Sequence, residues 1–67
     1  MNMVKVSSSA IHSIGYDEET RKMKIKFKYG QTYTFCRVPF ELYERFLNSR
    51  SKGAFYQVKI KGRFNCF

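Results

Sequence analysis

Residue types that build catalytic and metal centres are scarce in this sequence. Its 67 residues include one histidine, two cysteines and five acidic side chains. His12 stands alone in the stretch AIHSIG, and no nucleophile elbow, phosphate-binding glycine loop or metal-ligand spacing occurs. We therefore expect a protein that is not an enzyme and that uses no cofactor and no metal.

The few cysteines give no pattern of their own. Cys36 and Cys66 form neither a CxxC pair nor a Cys/His cluster. They also make no convincing disulfide framework, so we expect two reduced thiols in a cytoplasmic protein. Residues 65–67 are expected to fray at the C-terminus.

Long apolar runs are also missing. No stretch is apolar enough to span a bilayer, and no segment predicts a long amphipathic helix that would lie on one. The N-terminal MNMVKVSSSAIHSIG lacks the apolar centre of a secretory signal. We expect no membrane partner.

Basic and aromatic side chains are abundant instead. Thirteen Lys and Arg give a net charge of +8, and 18% of the residues are aromatic. The length allows one domain with a small core, present as a monomer or a weak homodimer. Such a charge favours a polyanionic partner, and nucleic acid ranks ahead of other polyanions.

Hydrophobic periodicity predicts a sheet in the N-terminal half. Residues 1–6 form a lead-in segment in which MVKV can begin a short strand, and AIHSIGY predicts a first strand. The acidic DEET at 17–20 predicts a hairpin loop. In residues 21–28 lysines alternate with Met23, Ile25 and Phe27, which is strand spacing. Residues 31–37 predict the third strand.

The C-terminal half predicts helix. Pro39 suits the first helical position, and PFELYERFLNS has apolar residues at helical spacing. The tail is ambiguous, because its alternation slightly favours a strand while Ser51 is able to cap a short helix. The fold class is therefore α+β: a three-stranded antiparallel meander with one main α-helix and a short C-terminal helix, or a fourth strand, on one face.

The register of the second hairpin decides which side chains share a face. A two-residue turn puts the rings of Tyr33 and Phe35 among the lysines, where bases would stack on them. A bulge shifts the register by one and sends both rings into the core. The small core slightly favours the second alternative. As a plainer alternative, the lysines only prevent edge-to-edge aggregation.

Several motifs occur in an order that resembles the KTSC domain family. They are SxxIxxIGYD, an alternating strand ending in Gly30, YTF, VP at a helix start, SxG followed by FY, and IKGRF. The resemblance covers residues 7–64. The family occurs at the C-terminus of some lysyl-tRNA synthetases and as small stand-alone bacterial and phage proteins. The resemblance implies a short second helix in the tail, and it suggests RNA binding. The family's Tyr-x-Tyr signature appears here as Tyr33 and Phe35, so one hydroxyl is absent.

The functional hypothesis is a small basic module that binds RNA or another nucleic acid, mainly through phosphate contacts. The alternative is a protein-interaction module, a phage or accessory factor, whose basic face docks on an acidic protein. Arg50 and Lys52 add positive charge between the last two elements. The candidate nucleic-acid-binding residues are Lys22, Lys24, Lys26, Lys28, Tyr33, Phe35, Arg37, Lys59, Lys61 and Arg63.

Overall fold

A four-stranded antiparallel sheet with strand order β1-β2-β3-β4 carries the fold, and helices cover one of its faces. The computed structural model describes residues 2–66. The elements are β1 (Met3–Lys5), β2 (Ile11–Asp17), β3 (Lys22–Phe27), β4 (Thr32–Phe35), α1 (Phe40–Asn48), α2 (Lys52–Phe55) and a π-helical turn (Tyr56–Ile60). The predicted α+β class is confirmed.

The fourth strand comes from the N-terminus. Met3–Lys5 lies in the predicted lead-in segment and pairs with β2, so that Val4 is opposite Ile14. The three predicted strands form the rest of the sheet in the expected meander. The structure thus adds an edge strand at the beginning of the chain rather than at its end.

The acidic loop closes the β2–β3 hairpin as predicted. Asp17 Oδ1 accepts a hydrogen bond of 3.0 Å from the backbone N–H of Glu19. This bond is the main reason that the pKa of Asp17 is lowered. Arg21 completes the loop with a φ of 59°. The loop therefore ends in a left-handed residue that turns the chain into β3.

The β3–β4 hairpin has a loop of three residues, Lys28–Gly30. The N–H of Gly30 bonds to the carbonyl of Phe27, and the N–H of Phe27 bonds to the carbonyl of Gln31. Gly30 has a φ of +110°, the kind of conformation that such a loop needs in its last position. The two-residue turn is wrong. The extra residue shifts β4 by one position and sets Tyr33 opposite Ile25.

The core lies between the sheet and the helices. Phe46 of α1 has no exposed surface and packs with the buried side chains of the strands. Pro39 has an extended ψ of 142° and is the N-cap of α1, so its predicted place at the first helical position is wrong by one residue. The buried apolar residues are Ile11, Ile14, Met23, Ile25, Phe27, Phe35, Val38, Phe46 and Ile60.

The tail is helical, as the family resemblance implied, and the strand alternative is wrong. Ser51 Oγ accepts a bond of 3.3 Å from the N–H of Ala54 and caps α2. The ring of Phe55 stacks on Phe46 with a centroid distance of 5.3 Å. The π-helical turn then widens the helix, so Ile60, five residues after Phe55, is buried as well.

The two cysteines form a disulfide, so the expectation of two reduced thiols is wrong. Cys36 and Cys66 are bonded, and their Cα atoms are 4.9 Å apart. The tail returns to the end of β4, where the N–H of Cys36 bonds to the carbonyl of Phe64 at 2.8 Å. Residues 65 and 66 are therefore tied down rather than frayed, and Phe67 lies outside the described residues.

Candidate functional site

The face of the sheet opposite the helices is covered with basic and small polar side chains. We call this surface the lysine face. Strand pairing puts Lys24 beside Gly15 and Thr34, and Lys26 beside Ser13 and Thr32. All three β3 lysines are exposed. The surface comprises Met3, Lys5, Ser13, Gly15, Asp17, Lys22, Lys24, Lys26, Thr32 and Thr34.

The lysine-face positions of β2 carry short side chains, and we call Ser13 and Gly15 the low strip. Ser13 is only 2% exposed, although no helix covers it. Long side chains flank the strip, since Lys5 lies opposite Ser13 on one side and Lys26 on the other. Because strands are spaced about 4.8 Å apart, the backbones that carry these two lysines are about 10 Å apart. Cations therefore border the strip on both sides.

The lysines of β3 do not protect a sheet edge. β3 pairs with β2 on one side and with β4 on the other, so its backbone hydrogen bonds are used. The edge strands are β1 and β4. The edge-protection reading requires exposed strand backbone, and β3 has none to protect. Edge protection therefore does not account for the cationic row on the inner strand.

Tyr33 and Phe35 are not interleaved with the lysines. They follow the face of Met23 and Ile25, so the bulged alternative for the register is confirmed. Phe35 is 8% exposed and belongs to the core. Tyr33 lies on the edge strand and is 42% exposed. Base stacking between the lysines of β3 is thus excluded for both rings.

Two exposed tyrosines, Tyr29 and Tyr33, and the half-buried Tyr56 surround Phe27 on the helix side. Tyr29 stacks on Phe27 at 5.3 Å, and Tyr56 meets the same ring edge-on at 5.1 Å. Tyr29 is 68% exposed. The neighbouring Tyr33 hydroxyl is the main reason that the pKa of Tyr29 is raised. Sequence reasoning missed Tyr29 and Tyr56, because their proximity depends on the three-residue loop and the tail helix.

The remaining predicted basic residues lie away from the row on β3. Arg37 follows β4, and its guanidinium donates a hydrogen bond of 3.4 Å to the carbonyl of Asn65. Lys59 is in the π-helical turn, and Lys61 and Arg63 lie between that turn and the disulfide. All four side chains are exposed. Arg37 contacts the C-terminal segment that contains the other three, and none of the four is a residue of the strands that form the lysine face.

Lys28 lines a polar cleft that sequence reasoning did not identify. The cleft has a volume of about 580 Å³ and forms where three chain segments meet. Only the presence of Arg50 and Lys52 between two elements hinted at it in the sequence. Its lining residues are Val6, Ser7, Ser8, Ser9, Lys28, Arg50, Ser51, Lys52 and Gly53.

Two kinds of feature are absent from the part of the chain that the structure describes. Among residues 2–66, no three His, Cys, Asp or Glu side chains gather in a group that would hold a metal ion. None of the helices in this range has the length and apolar character needed to cross a membrane.

Comparisons with known proteins identify relatives over almost the whole chain. The family model of the KTSC domain matches residues 7–64. A protein of Tsukamurella paurometabola is 37% identical over 62 residues, which is 92% of each chain. A lysine–tRNA ligase of Nostoc punctiforme is 32% identical over 62 residues. That match includes 92% of this chain but only 11% of the ligase.

A solved structure has the same architecture. The crystal structure of a KTSC domain protein from Yersinia pestis superposes with a TM-score of 0.93 and 41% sequence identity. The match covers 96% of this chain and 90% of the other. The fold and the motif order thus agree with one family.

Proposed function

The chain belongs to the KTSC domain family, and we propose that it is a non-enzymatic module that binds nucleic acid on the lysine face. It shares the domain with the lysine–tRNA ligase of Nostoc punctiforme. RNA is the favoured partner, since that relative is by name an enzyme acting on tRNA. The backbone phosphates provide the main contacts. The observation that carries this proposal is the exposed cationic row on an inner strand.

The spacing of the charges suits a polyanionic chain. Lys22, Lys24 and Lys26 repeat about every 6–7 Å along β3. Lys5 stands on the far side of the low strip, two strands away. A backbone that lies along the strip therefore has ammonium groups on both sides. Ser13 and Gly15 are themselves buried, so the contacts come from the exposed lysines on either side of the strip.

Phosphate contacts alone predict weak sequence preference. Readout of base identity needs hydrogen bonds or stacking partners at the bases. The lysine face carries no aromatic side chain among its described positions. Four lysines that each neutralise one phosphate predict a slope of about −3 for the logarithm of affinity against the logarithm of salt on single strands.

Charge reversal on β3 tests the proposal. Lys24→Glu is expected to weaken binding to single-stranded RNA about tenfold at low salt, and to reduce the salt slope by about 1. Fluorescence anisotropy with labelled single-stranded RNA, duplex RNA and DNA measures both quantities. Circular dichroism verifies the fold of each variant.

Arg45→Glu is the matched control, because Arg45 is exposed on α1 and the change in net charge is the same. It is expected to retain most of the affinity. An equal loss in both variants would show that net charge alone attracts the RNA. If Lys24→Glu binds like the unchanged protein, the lysine face is not the nucleic-acid site, and an acidic protein becomes the partner to seek.

A further inference from the structure

The polar cleft is built by three segments that are distant in sequence. The loop before β2 contributes Ser7–Ser9, the β3–β4 turn contributes Lys28, and the α1–α2 connection contributes Arg50–Gly53. The N–H of Lys28 bonds to the carbonyl of Ala10 at 2.9 Å, which joins the first two segments. Hydrogen bonding within the fold thus fixes the backbone of Lys28 beside the serine-rich loop.

The lining of the cleft is cationic. Lys28, Arg50 and Lys52 bring three positive charges, and no described lining residue is acidic. Lys52 is half-buried, and its Nζ donates one hydrogen bond of 3.1 Å to the carbonyl of Ser49. An ammonium group has three donors, so two remain. That bond holds the charge of Lys52 at the start of α2.

The serine hydroxyls are arranged as donors. Ser8 Oγ accepts hydrogen bonds of 3.2 Å from the N–H groups of both Ala10 and Ile11. A hydroxyl has two acceptor lone pairs and one donor, so the proton of Ser8 is what remains for a ligand. Ser51 Oγ likewise accepts from Ala54. The Ser8 hydroxyl, with both acceptor positions used, favours a ligand that only accepts, such as a phosphate oxygen.

The geometry points to a phosphate-binding site in the polar cleft. Its volume of about 580 Å³ lies in the range of small-ligand pockets. Three cations and the Ser8 hydroxyl, which is left only as a donor, match a phosphate group, and the guanidinium of Arg50 is able to form two parallel bonds with it. The phosphate comes either from a free small molecule, such as a nucleoside monophosphate, or from the 5′ end of an RNA strand. The lysine face contributes no residue to this site.

Titration of the isotope-labelled protein with inorganic phosphate tests the site. Amide shifts are followed by NMR at constant ionic strength, with chloride as the competing anion. We expect saturable shifts concentrated at Ser8, Ser51 and Gly53. Arg50→Gln is expected to weaken phosphate affinity about tenfold, the loss of one charge-assisted contact.

Matched variants distinguish specific phosphate binding in the cleft from attraction of phosphate by the net positive charge of the protein. Arg45→Gln removes one arginine charge from exposed α1 and is expected to change the affinity less than twofold. Lys28→Gln provides a second cleft variant if Arg50→Gln does not fold. Lys24→Glu, which impairs the proposed RNA contact, is expected to leave the phosphate shifts unchanged. The two proposals can therefore fail separately.

Further titrations identify the source of the phosphate. A nucleoside monophosphate is compared with a short RNA carrying a 5′-phosphate and with the same RNA ending in a hydroxyl. Tighter binding of the monophosphate supports a free small ligand, and a preference for the phosphorylated RNA end supports the strand terminus. Shifts that do not saturate, or equal losses in Arg50→Gln and Arg45→Gln, would overturn the site.

Discussion

The two faces of the sheet are made by the same strands but serve different purposes. On the helix side, Met23 and Ile25 of β3 have no exposed surface. Their neighbours Lys24 and Lys26 point to the lysine face and are exposed. Period-2 alternation thus divides one short strand into a packed half and a solvated half. Within β3, the charged side chains are therefore confined to the half that does not hold the fold together.

The difference means that stability and binding are separable in this domain. Each fully buried aliphatic side chain contributes about 1.5–3 kcal/mol to folding. Exposed lysines contribute little, and substitutions at such positions usually change stability by less than about 0.5 kcal/mol. Mutations of the exposed lysines therefore test the proposed binding, while those on the covered face report on folding.

The largest expected effect is on the covered face. Phe46→Ala removes a fully buried ring that stacks on Phe55. We expect a loss of about 3–5 kcal/mol in the free energy of unfolding, which consumes most of the stability of so small a domain. Urea unfolding followed by circular dichroism measures it. Phe40→Ala is the matched control, because Phe40 is on the same helix but 43% exposed. Similar losses of unfolding free energy in both variants would contradict the conclusion that the buried side chains of the covered face hold the fold together.

The disulfide connects the two layers, since it joins the tail after the helices to the end of β4. Cys36 and Cys66 are 30 residues apart in sequence. Closing a loop of that length lowers the entropy of the unfolded chain by an amount worth about 3–4 kcal/mol. Replacing both cysteines by serine is expected to cost about that much, and the same loss should follow reduction of the unchanged protein. Urea midpoints with and without reductant measure it, and an unchanged midpoint would show that the bond adds nothing.

Much of the fold follows from the sequence because its strongest patterns are local. The alternation of Met23, Ile25 and Phe27 with lysines gives β3, and the apolar spacing in PFELYERFLNS gives α1. The loop at 17–20 follows from the ability of Asp17 to bond its own backbone. In each case the deciding interaction lies within a few residues.

Features that depend on tertiary contacts were not predictable. The pairing of Cys36 with Cys66 requires the tail to return along β4, which no spacing reveals. The alternation before Ile60 imitated a strand, but the residues that alternate do not share one buried face, since Ile60 is buried while Ala54 and Val58 are exposed. The polar cleft joins three remote segments, so only a cluster of charge at Arg50 and Lys52 marked it in sequence.

The smallest expected loss of stability comes from substituting Gly30, the last residue of the loop that sets the register of β4. Gly30 has a φ of +110°, and a methyl group there would meet nothing within 4 Å. Gly30→Ala therefore isolates the backbone cost of this conformation, about 1–2 kcal/mol. Gly53→Ala is the matched control, since Gly53 lies in α2 and an added methyl group would only contact Ala10 at 4.0 Å. It is expected to stabilise by about 0.5–1 kcal/mol.

The opposite signs of these two substitutions make the comparison decisive. Urea unfolding of both variants measures them, and amide exchange at Tyr33 reports on the pairing of β4. If Gly30→Ala is neutral, the loop adopts another conformation in solution. A two-residue turn would then place Tyr33 and Phe35 among the lysines and restore base stacking to the lysine face. A loss near the expected value keeps the rings on the covered side and leaves phosphate contacts as the basis of the proposed binding.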